Sequence, residues 1–276
     1  MPQPTSTAAT DAGALFRAGR LTEAVAAANA AVRKTPSDVG ARVLLAELLV
    51  FSGNLERADV ILDACGDMDP QVAIGVAEFR QLVRGEVARR QLFRDGRVPE
   101  FLGEPSAAQR LALAAIVALR GGNPSEAGQA AAAIEAERVR PTGASAGQPF
   151  DDLRDADDIL AGTFEVITTT GKYFWIPVER VLSMELHPPR RPRDLYWRRV
   201  SMQVADGPDG DVYMPAIYAG AGDDASDEHK LGRATDWLEA EGAPVRGVGA
   251  VTYLVGEEPA TLMELSQLSF TTPGVA

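Results

Sequence analysis

The spacing of apolar and polar positions changes character partway along the chain. Up to Arg140 the apolar positions are mostly Ala and Leu, with Arg recurring among them, a mixture of strong helix formers. Beyond about residue 150, Val, Ile, Thr, Tyr, Phe and Trp come in short runs broken by Gly, Pro and Asp, the texture of strands and turns. Helices are predicted near 11–18, 21–34, 37–51, 55–65, 70–94, 106–120 and 124–139. Strands are predicted over 162–168, 173–176, 181–186, 200–204, 211–214, 248–255 and 261–270. Thr170-Gly171-Lys172 reads as a hairpin tip, and Asp151-Asp-Leu-Arg-Asp-Ala-Asp-Asp158 as an acidic helix start. Pro141-Thr-Gly-Ala-Ser-Ala-Gly-Gln-Pro149 has the composition of a linker. The expected order is a disordered N-terminus (1–8), a helical repeat domain (9–140), a linker (141–150) and a C-terminal domain (151–272). The fold class is therefore α+β, with a TPR-like α-solenoid ahead of a compact, mostly antiparallel β domain.

The helical half repeats. Phe16-Arg-Ala-Gly19-Arg-Leu21-Thr-Glu-Ala24 recurs as Val50-Phe-Ser-Gly53-Asn-Leu55-Glu-Arg-Ala58, and Pro36 recurs as Pro70, each 34 residues on. That is the period of tetratricopeptide helix pairs. A third, partial copy, Leu119-Arg-Gly-Gly122-Asn-Pro-Ser-Glu-Ala127, lies close to two periods beyond the second. The motif encodes a helix hairpin: Gly ends the first helix in the left-handed conformation, and a small Ala lets the second pack closely. Asp69-Pro70 and Asn123-Pro124 place a capping side chain before a first-turn proline, and Ser106-Ala-Ala-Gln109 fits a capping box.

Composition narrows the functional classes. Twenty-seven basic against 39 acidic residues give a charge of −12 and a pI near 4.7. Nearly all of the excess falls after Arg140. Such a chain is poorly suited to general binding of nucleic acid or anionic membranes. A single cysteine, Cys65, excludes an internal disulfide and a multi-cysteine metal cage, and is read as a core residue. Two histidines, His187 and His229, leave few acid–base candidates near neutral pH and are read as turn or solvent residues. The first ten residues hold no Lys or Arg and no apolar run, so no secretory signal is expected. The longest apolar run, Leu111 to Leu119, is too short to cross a bilayer, which needs about 20 residues. Cytoplasmic residence and a non-enzymatic role are the expectations.

Motif strings that suggest chemistry lack its context. Gly143-Ala-Ser145-Ala-Gly147 matches a nucleophile elbow, but it follows a helical segment in a Pro/Gly stretch, where no strand-to-helix turn can lift the serine. Gly220-Ala-Gly222 resembles a dinucleotide loop, yet Asp223, Asp224, Asp227 and Glu228 would repel a diphosphate. The aspartates of 151–158 do not have calcium-loop spacing. No catalytic, cofactor or metal residue is expected.

One segment concentrates chemistry: His187-Pro-Pro-Arg-Arg-Pro-Arg-Asp-Leu-Tyr-Trp-Arg-Arg199 holds five arginines, a tyrosine and a tryptophan. Arginine forks grip carboxylates or phosphates, and neighbouring aromatics stack on bases or apolar partners. Three readings follow: internal pairing with the domain's surplus carboxylates, a protein-partner surface, or a nucleic-acid-binding regulator using Arg190, Arg191, Arg193, Arg198 and Arg199.

Tyr173-Phe-Trp-Ile-Pro-Val-Glu-Arg-Val181, then Leu186-His-Pro-Pro-Arg-Arg-Pro-Arg-Asp-Leu-Tyr-Trp-Arg198, resembles the signature of the ImpE/SciE/TagJ family. Further matches follow in order at Asp211-Val-Tyr-Met-Pro-Ala-Ile-Tyr218, Leu231-Gly-Arg-Ala-Thr-Asp-Trp237 and Val245-Arg-Gly-Val-Gly249. Pro192 and Tyr196 stand where the family pattern has Leu and an aliphatic residue, and the loop 220–229 is longer and more acidic. The resemblance implies an accessory component of a bacterial type VI secretion system. It would be a non-enzymatic cytoplasmic adaptor linked to the N-terminal helix of the sheath small subunit TssB and to the ATPase ClpV. The candidate partner-binding residues are Trp175, Arg190, Arg191, Arg193, Tyr196, Trp197, Arg198, Arg233 and Trp237. Either the solenoid groove or the arginine–aromatic segment would supply the surface.

Overall fold

In the computed structural model, which describes residues 7–219 and 225–271, the helical half is a stack of antiparallel helices. They are α1 (Thr7–Arg17), α2 (Leu21–Lys34), α3 (Val39–Phe51), α4 (Leu55–Met68), α5 (Ala73–Asp95), then strand β1 (Glu100–Phe101), α6 (Ala107–Arg120) and α7 (Pro124–Glu137). The expected disordered span 1–8 lies largely outside the described residues, and α1 already begins at Thr7.

The repeat works as its residues suggest. Gly19, Gly53 and Gly122 all have positive φ. Each closes its helix with the same pair of bonds: Gly53 N–H to the Val50 carbonyl and Asn54 N–H to the Leu49 carbonyl, matched by Gly19 with Arg20 and by Gly122 with Asn123. This ending satisfies carbonyls that a helix C-terminus leaves bare. The alanines five residues on, Ala24, Ala58 and Ala127, are fully buried at the helix–helix contacts. Asp38 and Asn54 cap α3 and α4, and Ser106 with Gln109 forms the expected capping box on α6. One start differs. α5 begins at Ala73 rather than residue 70, because Asp69 bonds the Gln71 N–H and folds 70–72 into a turn first.

The second half comprises β2 (Gly143–Ser145), β3 (Gln148–Phe150), β4 (Leu153–Asp155), β5 (Thr163–Thr168), β6 (Tyr173–Pro177), β7 (Val181–Leu186), β8 (Trp197–Val204), β9 (Gly210–Pro215), a short helix α8 (Asp227–Lys230), β10 (Thr235–Leu238), β11 (Arg246–Gly249), β12 (Thr252–Val255), β13 (Glu258–Thr261) and β14 (Gln267–Phe270). Nine strands form one sheet in the order β1-β6-β5-β9-β8-β7-β14-β2-β3. All its pairs are antiparallel except β1–β6. β13-β12-β4 and β10-β11 form two smaller sheets.

Four expectations need correction. The segment 141–150 is not a linker: β2 and β3 form a hairpin that continues the large sheet beyond β14. The acidic run 151–158 is not a helix, since β4 pairs with β12 and turns follow. Residues 248–255 divide at Ala250, which bridges to Ile217 and sends β11 and β12 into different sheets. Residues 261–270 also divide, because Glu264 accepts from the Thr261 N–H and hydroxyl and stabilises a turn ahead of β14.

Alternation along the strands makes three layers. Ile167, Tyr173, Trp175, Trp197 and Tyr213 face the helices and share one continuous core with Phe51, Phe79, Leu82 and Ile116. Phe164, Val166, Ile176, Met184, Val200 and Met202 face the other way, onto Tyr253, Leu262, Leu265 and Leu268. The helix-facing side changes texture beyond Trp197, where Ser183, Glu185, Ser201, Gln203 and Gln267 are polar and partly or fully exposed.

Candidate functional site

The halves meet on α5. In its buried stripe, in phase with Phe79, Leu82 and Leu92, sit Glu86 and Arg89, both fully buried. Arg89 donates through Nε and Nη2 to the two oxygens of Glu165 on β5, at 2.9 and 2.7 Å. The Tyr173 hydroxyl donates to Glu165 Oε1 at 2.5 Å and accepts from Trp175 Nε1 at 2.6 Å. Glu86 accepts from the Tyr196 hydroxyl at 3.1 Å, Trp197 Nε1 at 3.2 Å and Arg90 Nε at 3.2 Å. Burial alone would lower the Arg89 pKa, but the charges of Glu165 and Glu86 override it and hold it well above the ordinary value. Burial, helped by Glu86, pushes the Tyr196 hydroxyl up to about 12, so it remains a donor. Two carboxylates thus balance two guanidiniums. In such a network the loss of one partner leaves a buried charge at a cost of about 3–5 kcal/mol.

Close approach makes the network possible. A Cβ on Gly85 would run into Ile167 of β5, so only glycine lets α5 lie this near the sheet.

The segment 187–199 threads along the inner face of the solenoid. Pro192–Leu195 forms a 3₁₀ turn against α3. Arg193 is buried, with its guanidinium 4.8 Å above the Phe79 ring and Nη1 donating to the Gly75 carbonyl at 3.3 Å. Its backbone N–H bonds the Glu47 carboxyl, which burial raises to about 7 against the lowering influence of Arg193 and Arg191. Tyr196 stands edge-on to Phe51, and Trp197 edge-on to Phe79. Arg198 points to the opposite face of β8. There it is buried and donates to the carbonyls of Met263 and Leu186, both at 3.4 Å, while its Nε finds no partner. Burial lowers its pKa. Arg190, Arg191 and Arg199 are exposed.

Two clefts flank this joint. One, of about 350 Å³, is lined by Phe51, Glu86, Arg90, Phe93, Tyr196 and Tyr218 among others. The other, of about 220 Å³, is lined by Glu78, His187, Pro188, Arg190, Arg191, Arg193, Asp194, Arg199 and Tyr213.

Residues 147–269 match the family model described as "ImpE protein", and residues 15–78 match a tetratricopeptide repeat. The type VI secretion system accessory component TagJ of Pseudomonas aeruginosa is 31% identical over 260 residues, covering 93% of this chain and 89% of that protein. The chain belongs to the ImpE/TagJ family. The crystal structure of protein VPA1032 from Vibrio parahaemolyticus has the same architecture, with a TM-score of 0.89 at 27% identity, covering 95% of this chain and 97% of that one.

The ImpE signature stretches therefore build the joint between solenoid and sheet. Trp175, Tyr196 and Trp197, expected at a partner surface, are instead interior, and so are Arg193 and Arg198. The sheet needs these aromatics to cover α3 and α5, so the inner groove of this ImpE/TagJ chain is filled by its own residues. Arg233 is exposed but occupied: its Nη2 donates to the carbonyls of Phe16 and Arg17 at 2.8 and 3.0 Å, closing the end of α1. Trp237 is 37% exposed and packs edge-on to Tyr218 at the first cleft. Arg190 and Arg191 alone among the predicted arginines offer free guanidiniums at a cleft.

Other motif readings resolve the same way. Ser145 lies within β2, between Leu268 and Gln148, with no strand-to-helix turn. The loop 220–224 lies outside the described residues. Asp155 accepts from the Tyr218 hydroxyl at 2.5 Å, and Asp157 from Arg246 Nε at 2.7 Å. Among the described residues, no group of three His, Cys, Asp or Glu is placed to hold a metal ion, and no helix is long and apolar enough to cross a membrane. Glu86, Arg89, Glu165 and Glu47 were not singled out from the sequence, although Glu86 and Arg89 carry a legible signal: they are charges on the apolar stripe of α5.

Proposed function

We propose that this ImpE/TagJ chain is a non-catalytic adaptor of a type VI secretion system that binds the N-terminal helix of the sheath small subunit TssB and links the sheath to the ClpV ATPase. The observation that carries the reading is the relationship to TagJ, which runs through solenoid and sheet alike. The chemistry of the joint supports it, since its buried acids, arginines and tyrosines are consumed in bonding one another. With the inner groove filled, the docking surface assigned to the helix is the first cleft. Phe93 and the ring of Tyr218 offer apolar walls, and Trp237 stands beside Tyr218. An amphipathic helix seats its apolar face in such a site.

Calorimetric titration with the N-terminal helix peptide of TssB tests this. Saturable one-to-one binding with a negative heat-capacity change, weakened about tenfold by Trp237→Ala, is the expected result. Absence of binding at high micromolar peptide overturns the sheath-helix role.

A further inference from the structure

The second cleft is a separate surface that helix capture does not require, and three of its features go together. First, Arg190 and Arg191 are exposed and form no ion pair among the described residues, although the chain carries 39 acidic residues against 27 basic. Second, their backbone is rigid. Pro188, Pro189 and Pro192 flank the pair, and Asp194 Oδ2 accepts from the N–H groups of Arg190 and Arg191 at 2.8 and 3.0 Å. Proline-restricted backbone has less freedom to lose on binding. Arg193, the next arginine along, is locked under the solenoid by Phe79 and Gly75, so the pair is presented from a fixed anchor.

Third, the acids in the cleft, Asp194 and Glu78, and Asp211 beside Arg199 at its edge all accept hydrogen bonds from the protein's own donors. Asp194 holds the two backbone N–H groups. Asp211 accepts from Arg199 at 2.5 Å and from the Ser201 hydroxyl at 2.6 Å. Glu78 accepts from the Tyr213 hydroxyl. None of them forms an ion pair with Arg190 or Arg191. Folding does not call for a pair of exposed arginines held on a stiffened backbone at the mouth of a cleft; carboxylate recognition does, because each guanidinium can take a carboxylate through two parallel bonds.

We infer that this cleft is a docking site for an acidic peptide segment of a protein partner, gripped by Arg190 and Arg191 with Arg199 at its edge. Nucleic acid fits the cleft less well. The aromatics that would stack on bases, Tyr196 and Trp197, are buried.

The test is fluorescence anisotropy of a labelled oligoglutamate peptide with the full-length protein at low and at physiological salt. A single-stranded oligonucleotide of equal charge serves as competitor. Saturable peptide binding that weakens with salt is expected, with a loss of about tenfold or more in Arg190→Glu/Arg191→Glu. Arg190→Lys/Arg191→Lys, which keeps the charge and loses the fork, should fall between. Both positions are exposed, so an unchanged melting temperature confirms that the variants fold. Peptide binding that is absent, or unchanged in the charge-reversed variant, overturns the proposal, and so does an oligonucleotide that binds more tightly than the peptide. No sheath component enters the assay, so its outcome is independent of the TssB titration.

Discussion

At the scale of single residues, ionisable groups do more to hold the halves together than to offer chemistry. Glu47 is the clearest case. It is buried on α3 against the Arg193 backbone, and burial lifts its carboxyl to about 7. A folded pKa raised above the unfolded value gives stability that is complete below about pH 4.5 and lost as pH rises through about 7. Ionised Glu47 therefore loosens the contact between α3 and the 3₁₀ turn at alkaline pH. Glu47→Gln keeps the acceptor and removes the titration. Relative to wild type it should gain about 2 kcal/mol in urea unfolding between about pH 5 and pH 8, and an unchanged difference across that range would refute the assignment. The arginines show why residue type alone misleads. Arg190, Arg193 and Arg198 lie within nine residues, yet one is free, one is stacked on Phe79, and one is buried on the opposite face without a carboxylate. Strand alternation and the turn at Pro192 separate them, and neither is a property of arginine.

At the scale of elements, the helices were more legible than the strands, because a helix carries its own stop and start signals. Gly53 ends α3, Asn54 caps α4, and Ala58 packs the pair, all within six residues. Gly53→Ala should destabilise the protein by about 1–2 kcal/mol, the cost of forcing a side chain into the left-handed region, as measured by chemical denaturation. The same change at Gly75, inside a helix and with open space around it, should be neutral or stabilising. Strand boundaries depend instead on partners distant in sequence. Gly143–Ser145 reads as linker until β14 lies beside it, and 248–255 reads as one strand until Ala250 pairs with Ile217. The short segment β1, two residues within the helical half, gave no sequence signal, and it exists only because β6 offers an edge.

For the whole molecule, the two textures of sequence do not make two independent bodies. Trp175 and Trp197 belong to the same core as Phe79 and Leu82, and β1 brings the helical half into the sheet. Chemical unfolding should accordingly give one transition, with tryptophan fluorescence and far-ultraviolet circular dichroism coinciding. A helical transition well separated from the tryptophan signal would show that the halves fold apart. The 34-residue repeat, the helix caps, the strand alternation and the family signature could all be read from the chain, because each depends on neighbours a few residues away or on an ordered string of side chains. The repeat pointed to a solenoid and the signature to the ImpE/TagJ family, to which the relationship with TagJ assigns the chain. What the tertiary structure alone decided was which surfaces remain. It filled the solenoid's inner face with Arg193, Tyr196 and Trp197, turned Arg198 inward, and left Arg190 and Arg191 at a cleft. Those outcomes depend on burial and on contacts between residues more than a hundred positions apart, such as Glu86 with Tyr196, and no local pattern encodes them.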